Sequence, residues 1–413
     1  MSLQITRIHE NGFEEDHSVV DMPLDRMRDK VRAFTVPTMT QRTVYVFAAV
    51  GALTLLVGVF FGGDPFWAAV LFSGYYLAGT GVAALFFVAV QYLSGAGWST
   101  VLRRVPEAMA AWILPGGAAV LFTILGHKTL WPWTHPGEHL VGFKAAWLDY
   151  PFFVFRTLLY IGVWVVFARR IVHHSRAQDR DAQLSHTQKN TRLAAVFTVL
   201  FALSVWLAAV DWVMSLEPHW YSTIFGAYNF AGHFVAALAA VTVLVLWLRR
   251  NSEMRLFLRE DHLHDLGKLM LGMCTFWAYL WFSQYMLIWY ADIPEETQYY
   301  LVRTGGTWGP LFLLNIFVNW AIPFLVLLPR QSKRNPAVIG KVAVLLLFGH
   351  GLDLYLMIFP AIRPEAPHPT LWEVGVFLGG FAVACMVLWR ALRQALLMPI
   401  NDPYLRESLH FHQ

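Results

Sequence analysis

Residues 338–360 read VIGKVAVLLLFGHGLDLYLMIFP. A helix needs about 20 apolar residues to cross the ~30 Å hydrocarbon layer of a bilayer, and this stretch meets that length. It also carries His350 and Asp353 at a spacing of i,i+3, which puts both on one helix face. A charged side chain at the bilayer centre costs about 2.5–3.5 kcal/mol on insertion scales. A span that keeps a carboxylate beside an imidazole must set them against other polar groups or against water. The stretch therefore reads as a buried membrane helix with a polar interior.

Working outward, nine further runs have the same character: 43–62, 66–93, 107–126, 148–170, 192–215, 222–248, 268–290, 306–328 and 372–395. Backbone groups in lipid must bond within their own segment, so the runs predict helices and not an open sheet. The expected fold class is an all-α integral membrane protein of about ten transmembrane helices, with 338–360 the ninth. The expected organisation is an N-terminal segment 1–42, a membrane domain 43–395 and a C-terminal tail 396–413. Composition agrees: 57% of residues are hydrophobic and 14% charged, against about 45–50% and about 25% in soluble domains. The first forty residues are polar and charged, which predicts no cleaved signal segment. No internal repeat stands out.

Orientation follows from the basic residues. All 31 Lys and Arg but Lys128, Lys144, Arg156, Arg303 and Arg363 fall in the N-terminal segment, in the loops after the second, fourth, sixth and eighth spans with the adjoining helix ends, or near the C-terminus. The positive-inside rule makes that face, and both termini, cytoplasmic. Basic residues confined to alternate loops do not suggest nucleic-acid binding. Of the other five, Arg156 lies within the fourth span. The outer segment 127–147, with His127, Trp131, Trp133, His135 and His139, reads either as an interfacial aromatic belt or as a docking surface.

The ionisable residues within the spans are the candidates for function. They are Asp149 and Arg156 in the fourth span, Asp211 in the fifth, His233 in the sixth, and His350 and Asp353 in the ninth. Glu217 and His219 lie just beyond the fifth span. Asp211, Ser215, Glu217 and His219 climb toward the outer surface and predict a proton route, because His and carboxylates exchange protons along a wet chain. His233, His350 and Asp353 would lie behind it. Asp149, Arg156, Gln284 and Tyr285 are candidates to line a polar or quinol site. Plainer readings stand beside these. His233 can be a packing residue, Arg156 can snorkel or pair with Asp149, and Asn315 with Asn319 can be interhelical hydrogen-bond glue.

Cofactors are limited by arithmetic. Cys274 and Cys385 cannot build a zinc ribbon or a four-cysteine cluster. Only His233 and His350 lie deep in the membrane, enough for one bis-His haem and not two. Asp353 beside His350 suits a proton site better than a haem pocket, so the expectation is no metal centre in this chain.

Two segments are more specific. DWVMSLEPHWYST at 211–223, and WFSQYMLIWY at 281–290 followed by ADIPEE at 291–296, resemble the F subunit of bacterial alternative complex III. That is the smaller of its two NrfD-type, polysulfide-reductase-like membrane subunits, and the likeness extends over most of the chain. It implies two four-helix bundles, spans 2–5 and 6–9, with spans 1 and 10 peripheral. It implies a place in the bacterial inner membrane within a complex that oxidises quinol, menaquinol among the candidates, and passes electrons to cytochrome c or an oxidase. Iron–sulfur clusters and haem c would belong to partner subunits, and the larger NrfD-type paralogue would be a further partner. The chain would supply a proton path, a quinol site, or both, and would not be catalytic alone. Two alternatives remain open at the sequence level: a proton-coupled secondary transporter, and a structural anchor for peripheral redox subunits.

Overall fold

The computed structural model describes residues 22–135 and 140–411. His139 and most of the N-terminal segment lie outside the described residues. Among the described residues there is no strand, only an isolated bridge between Phe34 and Ser252.

Among the described residues there are ten long helices: α1 Thr38–Phe61, α2 Gly63–Ser94, α3 Arg104–Leu130, α4 Tyr150–Asp181, α5 Ser185–Trp212, α6 Phe225–Asn251, α7 Glu260–Ala291, α8 Gly309–Leu327, α9 Pro336–Ile362 and α10 Leu371–Arg393. Nine of them are long and apolar enough to cross a membrane. The other is α7, which contains the expected span 268–290. Its Trp277, Tyr279, Trp281, Gln284, Tyr285, Trp289 and Tyr290 lower its apolar character while keeping it helical over its 32 residues.

Local chemistry sets the helix ends. Asp149 caps α4 by accepting from the Phe152 backbone N–H at 3.2 Å, and Asn335 caps α9 ahead of Pro336 at its first position. Thr370 and Glu373 form a capping box on α10. Gly95 closes α2 in the left-handed region at φ 60°. Lys333 folds back to donate to the Leu327 and Leu328 carbonyls at 2.7 and 3.0 Å, satisfying the end of α8.

Helices α2, α3, α4 and α5 pack as one bundle, and α6, α7, α8 and α9 as a second. The bundles meet where α2 lies against α6 and α9, while α1 and α10 pair on the periphery against α2. Burial tracks this arrangement: 78% of the apolar window is buried in both α2 and α6, but 17% in α1. Close approach uses small residues, as is usual where lipid supplies no hydrophobic drive between helices. A Cβ on Gly116 of α3 would lie 2.4 Å from the Ala78 backbone nitrogen of α2.

The segment before α1 and the tail after α10 meet at one end. The Leu397 N–H donates to the Val31 carbonyl at 2.9 Å. Asn401 donates to the Asp179 carbonyl at 3.0 Å. Arg103, in the α2–α3 loop, pairs with Asp402. Arg104 pairs with Asp179 at the end of α4. The segment just before α1, the tail after α10, the α2–α3 loop and the end of α4 thus share one face.

Candidate functional site

The two bundles meet in a polar cluster. His233 on α6 and His350 on α9 hydrogen-bond directly, Nδ1 to Nε2, at 2.9 Å. Both rings are almost wholly buried. Tyr75 of α2 meets the His233 ring edge-on at 4.6 Å and donates through its hydroxyl to Asn229 Oδ1 at 3.0 Å. The remaining nitrogens, His233 Nε2 and His350 Nδ1, are buried with no protein partner. Buried groups of that kind call for an explanation, and proton or water exchange is one.

One turn further along α9, Asp353 accepts three hydrogen bonds from neutral donors. Oδ1 takes the Tyr228 hydroxyl and Asn315 Nδ2, the latter at 2.8 Å; Oδ2 takes Trp277 Nε1 at 2.9 Å. Helices α6, α7 and α8 thus each present one donor to the carboxylate that α9 carries. Asn319 donates to Asn315 Oδ1 at 2.7 Å and to the Gly349 carbonyl at 3.0 Å, which orients the Asn315 amide toward Asp353. Residues Phe317–Ala321 form a π-helical turn in α8, an irregularity that often marks functional sites. It carries Asn319.

Space is left for this arrangement by glycine. A Cβ on Gly79 would fall 2.2 Å from the His233 ring, and one on Gly349 would fall 2.5 Å from Asn319 Oδ1. Gly349→Ala is therefore expected to destabilise the protein by about 1–3 kcal/mol through overpacking and a disturbed buried amide. Gly162→Ala is the control, since a Cβ there meets open space. Thermal melts in detergent compare the two; equal melting would mean that Asn319 has room to move.

Toward the end away from the basic loops the cluster opens into a cavity lined by Asp353, Tyr228, Asn315, Gln284, Tyr300 and Arg303, among others. Its volume is about 20 Å³, on a scale where one water needs about 10–15 Å³. It suits water and excludes a quinol ring. The short helix Pro294–Thr304 covers it. Gln284 donates to the Tyr300 hydroxyl at 3.1 Å. Burial pushes the Tyr299 and Tyr300 phenols well above their ordinary pKa, so both stay neutral.

A second cluster lies in the first bundle. Arg156 grips Asp211 with two bonds, Nε to Oδ2 at 2.8 Å and Nη2 to Oδ1 at 2.9 Å. Tyr160 and Trp147 add donors to the same carboxylate at 2.9 and 2.8 Å. Arg156 therefore pairs with Asp211 and not with Asp149, which is spent on the α4 cap.

The expected column from Asp211 to His219 does not continue in space. After α5 a 3₁₀ turn, Met214–Leu216, redirects the chain. Asp211 faces the first bundle, whereas Glu217 turns to Arg303 of the second at 2.8 Å. His219 is exposed on the loop. The proposed lining set divides in the same way. Asp149 and Arg156 stand in the first bundle and Gln284 at the cavity of the second, while Tyr285 stacks on Trp281 at 6.2 Å. His233, His350 and Asp353 do come together. Tyr75, Tyr228, Trp277 and Arg303 complete the site without having been singled out from sequence.

No protein-family model matches this chain, and no curated protein matches it. The site must be judged on its geometry. Among the described residues no group of three or more His, Cys, Asp and Glu converges as metal ligands. His233 and His350 touch each other, so the two rings do not flank the gap that a haem plane would occupy.

Proposed function

We propose that this chain is a membrane subunit of a bacterial quinol-oxidising electron-transfer complex of the alternative complex III type, and that it conducts protons. One observation carries the conducting role: a buried carboxylate lines a water-sized cavity near the outer end, and one turn back along α9 lies a pair of buried, hydrogen-bonded imidazoles with two unpartnered ring nitrogens. The resemblance of 211–223 and 281–296 supports the assignment to that complex. Iron–sulfur clusters and haem c are assigned to partner subunits. The cavity is too small for quinol, so quinol contact is assigned to a partner, the larger paralogue first. The carboxylate and both imidazoles sit on unbroken helices, α6 and α9, which weighs against a transporter built on discontinuous helices.

The test is purification from the native membrane through a tag on this chain. Haem c absorbance and iron–sulfur signals are expected to co-purify with quinol-oxidising activity. A chain that purifies alone, or with solute-binding partners, would overturn the assignment. Orientation has its own check: reporter fusions near Arg176 are expected to read cytoplasmic and fusions near Glu295 outer. The reverse pattern would invert the direction of the proton path.

A further inference from the structure

We propose that Arg303 is the gate of an outer proton outlet from Asp353. The proposal rests on the proton-conducting reading above and adds to it a residue that closes the path.

Arg303 lies on the Pro294–Thr304 helix, outside the long spans, yet it is only 2% exposed. It lines the same cavity as Asp353. Its guanidinium is held from three sides. Nε donates to the Leu356 carbonyl at 2.8 Å, and Nη2 to the Met357 carbonyl at 3.1 Å. The Leu356 carbonyl is available because Pro360, four residues on within α9, has no N–H to offer it. Nη2 also pairs with Glu217 at 2.8 Å, and the Tyr299 ring lies 3.4 Å beneath the guanidinium. Tyr299 in turn stacks on Trp220 at 3.8 Å. Arg303 thus pins the covering helix to the carbonyls ahead of Pro360 near the end of α9 and to the loop after α5. Glu217, with a side chain 26% exposed, is the part of the latch that reaches the outer water.

A guanidinium does not give up its proton in proteins, so Arg303 is no relay. It is a fixed positive charge in a low-dielectric passage, where it raises the energy of any hydronium nearby. Latched, it slows proton passage in both directions. When the pair with Glu217 is broken and the helix lifts, a proton leaves Asp353 for cavity water and passes to the outer water, and Asp353 is reloaded from the His350 side. No electron moves in this step.

The experiment is passive proton flux through the full-length chain reconstituted in liposomes, driven by a potassium diffusion potential and read by a trapped pH dye. Arg303→Gln is expected to raise the flux about tenfold or more. Arg303→Lys, which keeps the charge, is expected to stay near wild type. Adding Asp353→Asn to Arg303→Gln is expected to return the flux to background. A folded Arg303→Gln chain with wild-type flux overturns the gate, as does a leak that ignores Asp353. Should Arg303→Gln not fold, Glu217→Gln removes the pair that must break before the helix lifts; the helix then lifts more often, the variant too is expected to leak, and wild-type flux in it overturns the proposal. The outcome is separable from that of the proposed function, which is read in quinol-driven turnover with Arg303 intact.

Discussion

Asp211→Ala is expected to destabilise the protein by about 3–5 kcal/mol, the usual cost of breaking a buried ion pair from one side. Asp211 is fully buried, and both of its oxygens are occupied. Removing it leaves the Arg156 guanidinium inside the first bundle. The Trp147 carbonyl at 2.8 Å and the faces of Trp147 and Phe152, at 4.1 and 4.3 Å, are then what remains to hold it. Asp211→Asn is expected to fare little better, since an amide brings neither the charge nor the second acceptor. Replacing both partners by leucine should recover part of the loss, because the desolvation of two ions is then avoided. Melting and folded yield in detergent decide this. A single mutant that melts like wild type would show the pair to be dispensable and would return Asp211 to the list of exchangeable carboxylates.

That expectation reverses a reading of the sequence, and the reason is geometric. Asp211, Glu217 and His219 rise in sequence toward one surface, but a 3₁₀ turn after α5 sends Asp211 and Glu217 into different bundles. Sequence spacing fixes which residues share a face of one helix. It does not fix where a chain points after an irregular turn. The spans themselves were legible because the bilayer imposes a length that apolar runs must meet. His233, His350 and Asp353 were legible because ionisable groups in lipid are costly enough to be conspicuous. Their partners were hidden for the opposite reason: Tyr75, Tyr228 and Trp277 are the residue types that also crowd any membrane interface. Arg303 was hidden in what reads as a loop, since the eleven-residue helix that carries it is too short and polar to register as a span. The π-turn around Asn319 left no mark at all in the pattern of apolar residues.

Asp353→Asn is expected to leave the protein folded and to lower quinol-driven proton release by about a hundredfold or more, the low end of what a positioned acid–base group contributes. The fold should survive because Asn keeps the size of Asp and one carbonyl oxygen. That oxygen, kept at the Oδ1 position, can still accept from Asn315 and Tyr228. The bond from Trp277 is the one at risk, at a cost of about 1–3 kcal/mol. Proton release should not survive, because an amide holds no exchangeable proton in this range and the carboxylate stands between the imidazole pair and the cavity. His350→Phe is expected to act on the same step from the other side, by removing the ring nitrogen that bonds to His233. Turnover and pH change are measured together in membrane vesicles, with assembly checked on a native gel. If Asp353→Asn assembles and matches wild type in rate and in protons released per quinol, the grip of three helices on this carboxylate is a packing device, and protons cross the membrane by another route.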